Sequence, residues 1–177
     1  MNLNKRNKKW QTFFQNNFGN KFPHQSLIIF FNRNFYKLKK KINILDLGSG
    51  TGSTLKLIDK KNFFIDFVDI SKIALKQILK KNLKQNIEVY NQNFNDYLKV
   101  SKKKYDLIID STSLQHQTEK EIKVSFGLIK KNLKQNGFFF SINLNSYKGL
   151  HNENFYVTKF SKKKILNLFK LCKLKSI

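Results

Sequence analysis

Three glycines at alternate positions, Gly48, Gly50 and Gly52, directly follow an apolar run in INILDLGSGTGSTL (42–55). The whole chain holds seven glycines, so this concentration asks for a physical reason. Glycine reaches positive φ without steric penalty and lets the backbone come close to a ligand. A strand that turns sharply into a helix also presents free N–H groups and a partial positive charge. The chemistry on offer is the seating of a ligand against main chain, beyond the carboxyl end of a strand. The spacing is G-x-G-x-G. It is neither the dinucleotide pattern G-x-G-x-x-G nor a P-loop, which needs Gly-Lys-Ser/Thr.

Strands and helices must alternate to position such a turn. Five apolar runs read as strands: 42–47, 63–70, 87–92, 105–111 and 137–144. Helical patterns lie between them. One is expected over 53–60. A second covers 71–83, with Ser71 as N-cap and Ile73, Ile78 and Leu79 on one face. A third covers 118–133, with Ile122, Phe126 and Ile129 on one face and Glu119 and Glu121 in the first turn, where negative charge is favoured. This alternation predicts an α/β fold, a parallel sheet with helices on both faces. Ahead of it, residues 1–41 form an N-terminal helical, lid-like segment, with a helix over 26–38 that Pro23 starts. Residues 42–177 form the core of the same single domain.

Composition narrows the classes. With 177 residues and 40% hydrophobic content the chain can bury a core. No run of ~18 apolar residues occurs, and no apolar signal segment follows the basic N-terminus, so a cytoplasmic domain without membrane contact is expected. The single cysteine, Cys172, excludes an intrachain disulfide and a cysteine metal cluster, and no His/Cys/Asp grouping has metal-ligand spacing. The net charge is +24, carried almost wholly by lysine. Arginine, the usual choice for specific phosphate recognition, is nearly absent. Lysine, asparagine, isoleucine and phenylalanine share A/T-rich codons, which explains the charge without a partner; the surface would still bind nucleic acid weakly and nonspecifically.

ILDLGSGTG (44–52) resembles motif I of the class I S-adenosylmethionine-dependent methyltransferases. Further landmarks follow in that family's order. FVDIS ends the second strand with Asp69, YDLIIDSTSLQH resembles the fourth strand and its loop, and LIKKNLKQNGFFFSI resembles the turn into the fifth strand. GNKFP ahead of a helix resembles small, free-standing members. The resemblance implies a Rossmann-like sandwich and S-adenosylmethionine as cofactor. It implies that Gly48, Ser49, Gly50 and Gly52 form the cofactor turn and that Asp46 helps hold the methionine ammonium through water. Asp69 would accept from both ribose hydroxyls, with Asp66 as its competitor; Ile70 would pack on adenine. Asn93 and Phe94 would meet the adenine edge, and Asp110 and Ser111 would line the floor near the methyl group.

Methyl transfer by in-line displacement asks mainly for proximity and alignment. His116 is the candidate general base where the acceptor must lose a proton, against a loop-capping alternative. His24 and His151 read as surface residues, against a lid and an acceptor-facing alternative respectively; Tyr90 reads as core, and Trp10, Phe13, Phe14 and Phe18 pack on the sheet or cover the pocket, with packing favoured. The Pro-Pro segment of amino-methylating nucleic-acid enzymes is absent after strand four, where DSTS stands, and Cys172 reads as a packed residue. A small-molecule acceptor is therefore expected. RNA or protein methylation, or S-adenosylmethionine binding without catalysis, are the alternatives. After a helix at 161–172, LKSI would begin a sixth strand and the seventh is missing, so C-terminal strands are truncated or absent. Pairing through the exposed sheet edge is then open.

Overall fold

A computed structural model describes residues 3–16, 19–58, 62–81 and 86–143, together with Thr158, Lys163 and Asn167. Five strands form one parallel sheet: β1 (Ile42–Leu47), β2 (Phe63–Asp69), β3 (Asn86–Asn91), β4 (Tyr105–Ser111) and β5 (Leu133–Ile142). Their spatial order is β3-β2-β1-β4-β5. The chain builds outward from β1 on one side, then crosses back to place β4 on the other. That reversal opens a crevice at the carboxyl ends of β1 and β4, the switch point where α/β sheets bind ligands.

The helices are α1 (Leu3–Asn16), α2 (Gln25–Asn34), α3 (Lys72–Leu79), α4 (Phe94–Val100) and α5 (Glu119–Asn132). Side chains alternate across the sheet, so each central strand feeds two cores. Ile42 and Ile44 of β1 join Phe63, Ile65 and Phe67 of β2 with Leu27 and Phe31 of α2 and Leu75 and Ile78 of α3. Leu45 and Leu47 join Val68, Ile108 and the α4 and α5 residues Leu98, Ile122, Phe126 and Ile129. Burial on both faces explains the near-continuous apolar runs of β1, β2 and β4. β5 pairs with β4 alone among the described residues.

Several local expectations are corrected. The segment after the glycines is a 3-10 turn, Ser53–Leu57, rather than a helix over 53–60. It buries Thr54, Leu55 and Leu57, and Ile58 already leaves helical geometry. α2 ends at Asn34 instead of Leu38, and Pro23 precedes the N-cap His24 rather than opening the helix. His24 Nδ1 accepts from Ser26 N–H, so this histidine is a helix cap. In α3 the buried face is Ala74, Leu75 and Ile78; Leu79, one residue round from Ile78, turns to the exposed side. β5 starts at Leu133, directly after α5, with a register shift where Asn136 takes positive φ. His151, Cys172, most of the expected C-terminal helix and the beginning of a sixth strand lie outside the described residues.

The caps follow the sequence. Ser71 Oγ accepts from Ala74 N–H at the start of α3. Thr118 and Glu121 form a reciprocal capping box on α5, each side chain satisfying the other's backbone N–H. Thr118→Ala should lower stability by about 1 kcal/mol in denaturant unfolding, the usual worth of such a cap. An unchanged midpoint would show that the box contributes nothing.

Candidate cofactor and acceptor site

The glycine turn sits at the crevice, and all three glycines take positive φ: +62° at Gly48, +53° at Gly50 and +72° at Gly52. Space as well as φ forbids side chains. A Cβ at Gly48 would lie 2.3 Å from Ser113 Oγ, and one at Gly52 would lie 2.8 Å from Ile78 Cγ1. A Cβ at Gly50 would project to within 3.2 Å of the Phe14 ring. The turn is pinned from both sides. Ser113 Oγ–H donates to Leu47 O (2.8 Å), and Gly48 N–H donates to Val68 O (2.8 Å). Gly50 N–H donates to Asp69 Oδ2 (2.8 Å), while Ser71 N–H takes Asp69 Oδ1 (2.7 Å).

A cavity of about 250 Å³ lies between this turn and α1. Asp46, Gly48, Ser49, Gly50, Asp69, Ile70, Asn93, Phe94, Ser111 and His116 all line it. Residues scattered over some seventy positions are thus brought to one crevice. Gly52 and Asp110 do not line it. Gly52 serves the turn's geometry and its packing on α3. Asp110 is fully buried, and its carboxylate accepts from Ser113 N–H, Leu114 N–H, Ser141 Oγ–H and Asn143 Nδ2. With those bonds it braces the loop after β4 instead of forming the cavity floor, a correction to the sequence reading. Asp66, the competitor of Asp69, accepts from Tyr97 and Tyr105 hydroxyls and from Lys103 Nζ, away from the cavity.

The N-terminal aromatics close the cavity. Trp10, Phe13 and Phe14 all line it, the pocket-covering alternative to packing on the sheet. Trp10 stacks on Phe14 (centroids 5.8 Å) and meets the His116 ring edge-on (5.0 Å). Polar contacts hold α1 at both ends of the crevice. Gln11 Oε1 accepts from Ile73 N–H and Ser71 Oγ–H beside Asp69. Arg6 pairs with Glu121 (2.6 Å) and donates to His116 O (3.2 Å) on the other side. Arg6, Thr54, Ser113 and Gln117 were missed from sequence. Only tertiary contacts bring these ordinary polar residues to the site.

Electrostatics mark the same place. Burial raises Asp46 to about 7 despite a hydrogen bond from Thr54 Oγ1 (2.5 Å), and the charges of Asp69 and Asp110 add to the rise. Burial raises Asp69 to about 6, opposed by the N–H groups of Ser71 and Gly50. Two buried acids facing a cavity and held partly neutral suit a cationic ligand rich in hydroxyl donors. The arrangement fits an adenosyl sulfonium: a side-chain-free turn, acceptor-only carboxylates, and the apolar residues Ile70 and Phe94 beside them. No group of three or more His, Cys, Asp or Glu side chains able to hold a metal occurs among the described residues, and none of the described helices is long and apolar enough to cross a membrane.

Strand order, glycine turn and paired acids define a Rossmann-like fold of the class I S-adenosylmethionine-dependent methyltransferase type. A family model described as "Methyltransferase domain" matches residues 38–172, and the chain belongs to that family. Among solved structures it is similar to a DhpI complex with S-adenosylmethionine and HEP: TM-score 0.72, 11% identity, covering 97% of this chain and 88% of that one. It is similar to the Burkholderia thailandensis 1,6-didemethyltoxoflavin-N1-methyltransferase: TM-score 0.71, 14% identity, covering 96% and 76%. It is also similar to a SAM-dependent methyltransferase from Archaeoglobus fulgidus: TM-score 0.67, 18% identity, covering 91% and 72%. At these identities the likeness is one of fold. No match was found among curated proteins.

The buried acids have a stability consequence. In the unfolded chain both ionise near 3.8. Between that value and about pH 6–7 the folded state therefore binds more protons than the unfolded one. Their contribution to stability is full below the unfolded value and falls as pH rises through the window. Asp46→Asn should thus be more stable than the wild type at pH 8 by roughly 2–4 kcal/mol, and melt at a higher temperature there, with little difference at pH 4. A lower melting temperature at pH 8 would mean that the charge on Asp46 stabilises the fold.

Proposed function

We propose that the chain methylates a small-molecule acceptor held beneath α1. The observation that supports this reading best is the cover that α1 places over one side of the cavity. Its volume of about 250 Å³ falls just below the usual range of ligand pockets, and three aromatic side chains of α1 line it. A partly covered crevice of that size favours a small acceptor over a polymer. When bound, S-adenosylmethionine supplies an electrophilic methyl on a sulfonium, open to in-line displacement.

The residues divide the work. Gly48, Ser49 and Gly50 carry the methionine portion against main chain, and Asp46 faces its ammonium. Asp69 keeps acceptor capacity for the ribose, because a carboxylate offers about four lone-pair sites and the N–H groups of Ser71, Gly50 and Ile70 take three of them. Ile70 and Phe94 flank the adenine, and Asn93 offers an amide at its edge. Ser111 and His116 border the methyl side, with His116 oriented by Trp10 and available as base for an acceptor that must lose a proton. Trp10, Phe13 and Phe14 exclude water. The single cysteine suits a reducing compartment, and this reading includes a cytoplasmic location.

Calorimetry with S-adenosylmethionine tests the ribose contact. Asp69→Ala should weaken binding by ~1–3 kcal/mol, the scale for bonds to a charged acceptor; an unchanged affinity would place the ribose elsewhere. Methyl-labelled cofactor offered with a small-molecule extract and, separately, with total RNA tests the acceptor class. Label in small molecules is expected. Label in RNA alone at physiological salt would give the acceptor to the basic surface instead.

A further inference from the structure

Gln117 is 3% exposed and lines the cavity beside His116. It is held at several points. Its N–H donates to Leu114 O (3.0 Å), and its carbonyl accepts from Thr158 Oγ1 (2.5 Å). Its side-chain Oε1 accepts from Ser125 Oγ (2.7 Å). Ser125 is fully buried on α5, and its Oγ also lies 2.8 Å from Asn95 Oδ1 and 2.9 Å from Glu121 O. Asn95 directly follows Asn93 and Phe94, both of which line the cavity. Ser125 Oγ thus sits where the first turn of α4 meets the loop that carries His116 and Gln117, with one hydrogen to donate.

A carboxamide offers an acceptor oxygen and two donor hydrogens. Ser125 has a single hydroxyl hydrogen; given to Gln117 Oε1, the shortest of its three acceptor contacts, it leaves Gln117 Nε2 with no hydrogen bond among the described residues. Buried amides are seldom left half-satisfied, and this one is fixed in place at a cavity. We infer that Gln117 is a further acceptor-binding residue, whose Nε2 donates to a lone-pair atom of the methyl acceptor, and that Ser125 is its positioning residue. The acceptor then carries a carbonyl, carboxylate or ring nitrogen near the atom that is methylated. This rests on the reading that the cavity holds both cofactor and acceptor.

The test uses the full chain saturated with S-adenosylhomocysteine. Benzamide, benzoate and pyridine, within a set of small carbonyl, carboxylate and ring-nitrogen fragments, are titrated by ligand-observed NMR. At least one fragment should bind, at least tenfold more weakly to Gln117→Leu and three- to tenfold more weakly to Ser125→Ala. Affinity for S-adenosylhomocysteine, read by calorimetry, should stay within threefold in both variants; a general loosening of the fold would move both ligands together. Undiminished fragment binding in Gln117→Leu would overturn the inference, as would a loaded protein that binds no fragment. Gln117→Leu decides the matter even if Ser125→Ala fails to fold. Failure of the wild type to bind S-adenosylhomocysteine would instead remove the cofactor reading itself, which the same calorimetry reports separately.

Discussion

The hydrogen bond from Gly50 N–H to the Asp69 carboxylate joins the two halves of the site. It fastens the turn after β1 to the end of β2, across neighbouring parallel strands whose register already sets Leu47 beside Val68. Everything else in the crevice is arranged around that junction. Ser113 closes the turn from the β4 side, and α1 rests its Phe14 ring over Gly50. A side chain on Gly48 would collide with Ser113, and one on Gly50 would press on the Phe14 ring, so the surroundings add to what their own φ requires. The cost of the design is the burial of acids. Asp46 and Asp69 lose solvation, and the molecule carries that cost where a cationic ligand would relieve it.

The same economy shapes the outer parts of the site. α1 is mostly polar, yet it turns its aromatic residues onto the cavity and anchors itself by Gln11 on one side and Arg6 on the other. The Arg6–Glu121 pair does double duty. Glu121 also completes the α5 capping box, and its carboxyl is held down to about 2: the bonds from Arg6 and Thr118 outweigh the opposing effect of its partial burial. The roof of the cavity is therefore coupled to the start of the helix that holds Ser125. Asp110, which does not line the cavity, does comparable work from behind by fixing the loop after β4.

Much of this was legible in the sequence, and the reasons are physical. β1, β2 and β4 are buried on both faces, so their apolar runs are unbroken and their ends are marked by glycine, aspartate and serine. The glycine turn and Asp69 stand out because few other uses explain them together. Other features depend on which face a residue takes, and sequence spacing resolved those poorly. In α3 a single residue of phase, about 100°, separates Ile73 and Leu79 from the true face, Ala74, Leu75 and Ile78. Asp110 and Asp46 each stand one residue before the end of their strands, but they project from opposite faces of the sheet, and only Asp46 meets the cavity. α1 carries too few apolar residues to announce a packed helix; Trp10, Phe13 and Phe14 gain their role from the crevice they cover. Gln117 and Ser125 are unremarkable in sequence and meet only through α5.

The central claim is that buried, partly protonated Asp46 and Asp69 receive the cationic cofactor. Proton release on S-adenosylmethionine binding measures this most directly, by calorimetry at pH 6.5 in two buffers of different ionisation enthalpy. The account predicts that binding expels protons as the ligand's positive charge pulls both acids down, and that affinity rises from pH 5.5 to 7. Binding with no proton released and no pH dependence across that range would contradict it.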